Sequence, residues 1–234
     1  MQKGIDISYC QKKVDWAKVC GIDFVIIRAG YGRYAHQKDS MFESHYAGAK
    51  KAGLPVGAYW YSYAMNEDEA RKEAETCLEI IKGKQYEYPI YYDVEEEKQL
   101  ATGKKNVSAI IRAFLETVEK AGYWVGLYMS ASPLSSLVDA DILKKYAVWV
   151  AHVGVTKPSY SGTYGMWQYT WKDKIDGISG DVDGDYCYID YPAKIKEKGL
   201  NGFDAPDDDA PAEEYPITIY LNGHKYTGTV RRAD

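Results

Sequence analysis

Phenylalanine is scarce in this chain: four residues among 234, against 23 tyrosines and six tryptophans. Aromatic bulk therefore comes almost wholly with a polar handle, a hydroxyl or an indole N–H. Such flat faces fill a core and also suit sugar rings, and composition does not choose between the two. Cysteine is sparse as well. Cys10, Cys20, Cys77 and Cys187 include no CxxC spacing, so a zinc or redox motif has no support. They read as mostly buried small apolar residues. The four histidines, His36, His45, His152 and His224, form no HExxH pair, and no GxSxG elbow or Walker loop occurs. No apolar run approaches a membrane span, so no membrane insertion is expected. A basic excess is missing too. The net charge is -5, and most of it sits in six acidic residues between 204 and 214. Residues 1–203 come to -1, which argues against a nucleic-acid partner. The chain enters the strand-like KGIDIS at once, with no signal peptide ahead of it. Release without a leader and prior removal of one both stay open.

What the chain does have is a repeating order of short apolar strands and helices. Strands are expected at Lys3–Ser8, Phe24–Ala29, Pro55–Tyr63, Pro89–Asp93 and Tyr123–Ser130. Ser40 with Glu43 has the pattern of a capping box before a helix ending near Ala52. Asn66, followed by Glu67, Asp68 and Glu69, opens a second helix. Val107, Ile110, Ile111, Phe114, Leu115 and Val118 form the apolar face of a third, which Gly122 ends. Further strands at Ala147–Val153, Gly165–Thr170 and Val182–Ile189 follow closely, with little room for helices between the last two. The fold class is α/β: a TIM-like barrel of about five β/α units followed by three strands. An open doubly wound sheet is the alternative. Residues 1–203 form the barrel domain in this reading. Residues 204–214, DAPDDDAPAEE, are an acidic, proline-containing linker. Residues 215–234 are a short hairpin-like tail with an Asn-Gly turn signal, either docked on a partner surface, or opening a further module, or mobile.

The sharpest local feature is YYDVEEE at 91–97, at the end of a central strand. Residues two apart on a strand share a face, so Asp93 and Glu95 point the same way with Tyr91 below them. Barrel enzymes carry their chemistry at such strand ends. Two nearby carboxyls resist ionising together, which leaves a proton donor beside an anion. That pair suits cleavage of a glycosidic bond. Glu96 and Glu97 read as a solvated acidic loop. Asp6 ends the first strand, and Asp181, Asp183 and Asp185 lie in the last. In a closed barrel these strands are neighbours, so Asp6 and one of the three join the same mouth. Candidate substrate-binding residues are Arg28, Tyr61, Tyr63, Tyr128, Trp167 and Gln168, with Tyr59 on the face of Tyr61 and Tyr63. The DVDGD run lacks the Gly and Glu positions of a calcium loop, and no metal or cofactor is expected. GYGRYA at 30–35 has the form of a dinucleotide fingerprint, but its helix starts too late to meet a pyrophosphate.

Taken in order, KGIDISYCQ, VDWAKV, FVIIRAGYG, YAGAKKAGLPVGAYWYSYA, PIYYDVE, GLYMS, WVAHV, GMWQYT and ISGDVDGD resemble the family-25 glycoside hydrolases. These are the Chalaropsis-type lysozymes and phage endolysin muramidases. The stretches span nearly all of residues 3–190. The resemblance implies a five-unit β/α barrel with three further strands. It implies hydrolysis of the β-1,4 bond between N-acetylmuramic acid and N-acetylglucosamine, with bacterial peptidoglycan as partner. It also implies action on the cell wall, outside the cell or after host lysis. By the same resemblance Glu95 is the catalytic acid, Asp93 its partner, Asp6 the first-strand aspartate and Asp183 the last-strand one. The usual Asp-Leu-Asn ending is Asp183-Gly184-Asp185 here, which leaves Asp183 and its neighbours in competition. The family acts with net retention, with the substrate's acetamido group a proposed nucleophile. A non-catalytic glycan-binding barrel and a chitinase-like hydrolase are the competing readings. Strand geometry places the Asp93 and Glu95 Cα atoms about 6–7 Å apart, which does not choose between retaining and inverting carboxyl separations. Nothing in the sequence fixes an oligomeric state.

Overall fold

A computed structural model describes residues 1–205 and 214–231. Eight strands close into one barrel in sequence order. They are β1 (Gln2–Ile7), β2 (Phe24–Tyr31), β3 (Val56–Tyr61), β4 (Ile90–Asp93), β5 (Val125–Ser130), β6 (Ala147–Ala151), β7 (Met166–Asp173) and β8 (Val182–Cys187). Each of β1 to β6 runs parallel to the next. β8 is antiparallel to both β7 and β1 and closes the ring. The barrel, not the open sheet, is the fold.

Helices cover the outside: α1 (Phe42–Lys51), α2 (Glu67–Ile81), α3 (Glu97–Leu100), α4 (Lys104–Lys120), α5 (Ala131–Leu137), α6 (Ala140–Lys145) and α7 (Tyr191–Glu197). The connection from β1 to β2 contains turns instead of a helix and is pinned by a Val14–Ile178 bridge. Its Trp16 lies over Gly48 of α1, where a Cβ would come within 2.1 Å of the indole. Asn66 caps α2 by accepting from the Glu69 amide, as its sequence position predicts. Ser40 does not cap α1. Met41 stands at its N-cap without a side-chain cap, and Asp39 holds the turn before it, its carboxylate accepting from Met41 N at 2.9 Å and its carbonyl from Phe42 N. A buried carboxylate there also serves Arg28, which a serine hydroxyl does not. The cysteine expectation holds for Cys77 and Cys187, which are buried; Cys10 and Cys20 are exposed.

The strands are apolar on both faces because both are covered. Outward positions such as Ile5, Ile27, Val56, Ile90 and Leu127 lie under the helices and are fully buried. α4 seats Val107, Ile110, Ile111, Phe114, Leu115 and Val118 there, and Phe114 stacks on Tyr92 at 3.8 Å. Inward positions explain the abundance of tyrosine. Tyr59, Tyr91 and Tyr128 surround Trp149 inside the barrel, with ring centroids 6.3, 5.1 and 4.5 Å from it. Gly126 gives Tyr91 its room, since a Cβ there would lie 2.5 Å from the ring.

The end of the barrel where β4 and β5 begin is laced by Asn201, which is fully buried at φ 58. Its amide donates to the carbonyls of Tyr86 and Tyr88, and its side-chain oxygen accepts from Trp124 N. Beyond the barrel, β9 (Glu214–Leu221) and β10 (His224–Arg231) form an antiparallel hairpin. Asn222 and Gly223 turn it with φ of 51 and 81, the pair of positive values that an Asn-Gly hairpin turn uses. Of the expected linker, residues 206–213 lie outside the described residues.

Candidate active site

Alternation along the strands decides which side chains meet inside the barrel. At the end where the parallel strands finish, β1 contributes Asp6, β2 Arg28, β3 Tyr59 and Tyr61, and β4 Asp93 with Glu95 just beyond it. Tyr128, Trp149 and Gln168 come from β5, β6 and β7. β8 runs the other way, so its beginning reaches this end and supplies Asp183, directly opposite Asp6 in the register. These ten residues line one pocket of about 150 Å³. A wider recess of about 610 Å³ adjoins it, sharing Arg28 and Tyr61 and adding Tyr9, Tyr31, Tyr63, His36 and Lys38. Among the described residues no cluster of three His, Cys, Asp or Glu is arranged to hold a metal ion.

The four expected carboxyls therefore share one mouth, in unlike surroundings. Asp93 is 5% exposed, and its Oδ1 is buried with no hydrogen-bond partner among the described residues. Burial first, then repulsion from Glu95 and Asp6, holds its carboxyl well above the usual range. Glu95 is exposed at the rim. Desolvation of its carboxyl first, then repulsion from Glu96, raise it. Burial pushes Asp183 up to about 6. Asp6 is raised chiefly by burial and by Asp183. Burial, joined at Asp6, Asp93 and Glu95 by repulsion from neighbouring carboxylates, thus makes each of the four hold its proton to higher pH than a free carboxyl does.

Of the competing aspartates in the last strand, Asp183 alone lines the pocket. Asp181 is on the surface, paired with Lys174 at 2.5 Å. Asp185 lies one layer deeper, fully buried, accepting from Trp149 Nε1 at 2.8 Å. Tyr61, Tyr128, Gln168 and Arg28 line the pocket, and Tyr63 lines the wider recess. Trp167 is a correction. Met166 and Gln168 face inward, so Trp167 faces out, where it is 7% exposed and donates to the His152 carbonyl. The tryptophan tied to the pocket is Trp171, 57% exposed, whose indole donates to Gln168 Oε1 at 3.0 Å. Register shifts between Gln168 and Asp173 re-aim it, a signal that strict alternation hides. Glu96 is a second correction. It accepts from the Tyr61 hydroxyl at 2.7 Å and so belongs to the rim; Glu97 is exposed and opens α3.

A buried polar network underlies this rim. Glu73 of α2 is 1% exposed. One of its oxygens accepts from Tyr63 N at 2.8 Å and the other from the Tyr92 hydroxyl at 2.7 Å. Ser62 meets Tyr92 at 2.7 Å, and Gln99 donates to Ser62 Oγ and to the Ala64 carbonyl. The segment after β3, which presents Tyr63, and the one after β4, which presents Glu95 and Glu96, are thereby tied together.

Residues 5–178 match the profile of glycosyl hydrolases family 25. The chain belongs to this family. An autolytic lysozyme of Clostridium acetobutylicum is 31% identical over 185 residues, covering 78% of this chain and 55% of its own length. Lysozyme M1 of Streptomyces globisporus is 28% identical, with 77% and 66% covered. Among solved structures, the CTP1L endolysin superposes with a TM-score of 0.74 at 28% identity, covering 84% of this chain and 70% of that one. This family-25 chain thus spans little more than half the length of the clostridial lysozyme. The match runs from Ile5 within β1 through β7, takes in Asp6, Asp93 and Glu95, and ends before β8.

Proposed function

We propose that this family-25 chain is a lysozyme, an N-acetylmuramidase that hydrolyses the β-1,4 bond from N-acetylmuramic acid to N-acetylglucosamine in bacterial peptidoglycan. The observation that carries the reading is the single mouth lined by Asp6, Asp93, Glu95 and Asp183, with tyrosines around it. Residues 1–203 are the catalytic unit in this reading. The enzyme acts on the wall, outside the cell or once the host has lysed.

Glu95 is the general acid. It is at the rim, where a glycosidic oxygen can reach it, and its surroundings favour the protonated form. Its proton goes to the leaving oxygen as the C1–O bond breaks. Asp93 holds the 2-acetamido group, the substrate N–H supplying the donor that Asp93 Oδ1 lacks. The acetamido oxygen then closes on C1 as the leaving group departs. Glu95, now a carboxylate, takes a proton from the water that reopens this ring, and two inversions give net retention. Asp6 and Asp183 stabilise the positive charge that develops at C1. The Tyr61 and Trp171 rings flank the sugar path.

The test is mass spectrometry of digested peptidoglycan with wild type and Glu95→Gln. New reducing ends on muramic acid are expected, with kcat down about 10²- to 10⁴-fold in the variant and wall binding kept. New ends on glucosamine, cleavage confined to chitin oligomers, or wall binding without cleavage would each refute the assignment. Retained turnover in Glu95→Gln would refute the acid.

A further inference from the structure

We infer that Asp185 is held as a neutral carboxylic acid that donates a hydrogen bond to Asp6, making it a positioning residue for an ionised Asp6. The inference rests on the muramidase reading only for its kinetic consequence; the protonation itself follows from geometry.

Trp171 and Trp149 fix the directions of the bonds, because an indole N–H can only donate. Trp171 Nε1 and the Tyr128 hydroxyl both meet Gln168 Oε1, at 3.0 and 2.8 Å. The amide end of Gln168 therefore faces Asp6 and donates to its Oδ2 at 2.8 Å. That oxygen of Asp6 is an acceptor. On the other side, Trp149 Nε1 donates to Asp185 Oδ1. The remaining oxygen, Asp185 Oδ2, is fully buried and receives no donor from the described residues. The register pairs Asp6 with Asp183 and Gly4 with Asp185, so Asp6 and Asp185 are diagonal neighbours on the inward face of the antiparallel strands β1 and β8, where their carboxyls can meet. Two buried carboxyls in contact cannot both be ionised, so one proton sits between them. The free oxygen of Asp185 is the one placed to carry it.

The neighbours supply no alternative. β6 and β7 present the uncharged Trp149 and Gln168, and β8 itself presents Asp183 and Cys187. Across the barrel are Tyr59, Asp93 and Tyr128, which add no cation. Arg28 is the cation of the pocket, and it is paired with Asp39 at 2.7 Å. Burial and repulsion from Asp6 hold the Asp185 carboxyl well above the usual range. The proton has a consequence for Asp6. Two donors, Gln168 and Asp185, fix its carboxylate in one orientation opposite Asp183.

Infrared difference spectra of the full chain at neutral pH, wild type minus Asp185→Asn, test the protonation. A carboxylic-acid C=O band lost in the variant is expected. Its absence overturns the proposal whether or not the protein cleaves walls. Kinetics test the positioning. Asparagine keeps a donor toward Asp6 and an acceptor toward Trp149, so Asp185→Asn stays within a few-fold of wild-type kcat. Asp185→Leu removes a hydrogen bond to a charged group and lowers kcat about 10- to 100-fold with KM little changed. An asparagine variant as impaired as the leucine variant also overturns the proposal. A wild type that shows the band yet leaves walls intact sinks the muramidase reading alone.

Discussion

Replacing Tyr92 by phenylalanine isolates the polar network beneath the rim. The ring of Tyr92 stacks on Phe114 with planes 7° apart, and phenylalanine keeps that contact. Only the hydroxyl is lost. It donates to Glu73 at 2.7 Å and meets Ser62 at 2.7 Å, and all three residues are buried. A hydrogen bond to a charged group contributes about 1.5–3 kcal/mol and a neutral one about 0.5–1.5. Ser62 also reaches Glu73 and takes over part of the lost contact. The expected loss is therefore about 2 kcal/mol, or roughly 4–8 °C in Tm for a domain of this size. Thermal unfolding followed by circular dichroism measures it. The pH dependence adds a sign. Burial raises Glu73 in the folded state, so its contribution is full in acid and is lost as pH rises through its folded pKa. Removing the Tyr92 donor raises that pKa further. The deficit of the variant is thus small near pH 4 and larger near pH 8. A deficit under about 0.5 kcal/mol at pH 8, or one that grows toward acid, would refute the role given to the network.

Trp171→Ala should raise KM for wall fragments about 10-fold or more and leave Tm nearly unchanged, since its ring stands at the rim. Trp167→Ala should do the reverse, costing about 3–5 kcal/mol of stability for a ring buried outside the strands. Steady-state kinetics and Tm on the pair decide between them, and the opposite pattern would restore Trp167 to the site. Asp183→Asn removes a carboxyl that burial pushes up to about 6. Its favourable contribution is present below its unfolded pKa and lost as pH rises through about 6, so the variant gains stability relative to wild type from pH 4 to pH 8. Melting curves across that range should show the crossover, and a gap independent of pH would contradict it.

The fold was legible because both faces of the sheet are buried. Runs such as FVIIRAG and PIYYDV announce strands whichever way they face, and eight of them in order leave little choice of architecture. Facing was harder. In MWQYTW every second residue is aromatic, so the pattern does not say whether Trp167 or its neighbours look inward, and the irregular pairing of β7 moves Trp171 where alternation does not put it. Asp93 and Glu95 were readable from spacing alone. Glu96 was not, because its partner Tyr61 is 35 residues away. Glu73 lies on the buried face of α2 with Ala70, Ala74 and Cys77, but its partners, the Tyr92 hydroxyl and Tyr63 N, lie outside the helix and leave no local signal. Asn201 carries no local signal at all; its partners lie in the segments that lead into β4 and β5, more than 75 residues earlier.

Closure by the reversed β8 also bears on how the molecule behaves in concentrated solution. Each barrel strand has hydrogen-bonded neighbours on both sides, so the barrel offers no row of open peptide groups to another chain. Among the described residues such rows exist only along the outer edges of β9 and β10. That hairpin also exposes Ile219, Leu221 and Tyr226 on one face. The liability to stack edge to edge is thus concentrated in eighteen residues at one end of the sequence, and a lysine placed on either outer strand is the simplest way to blunt it.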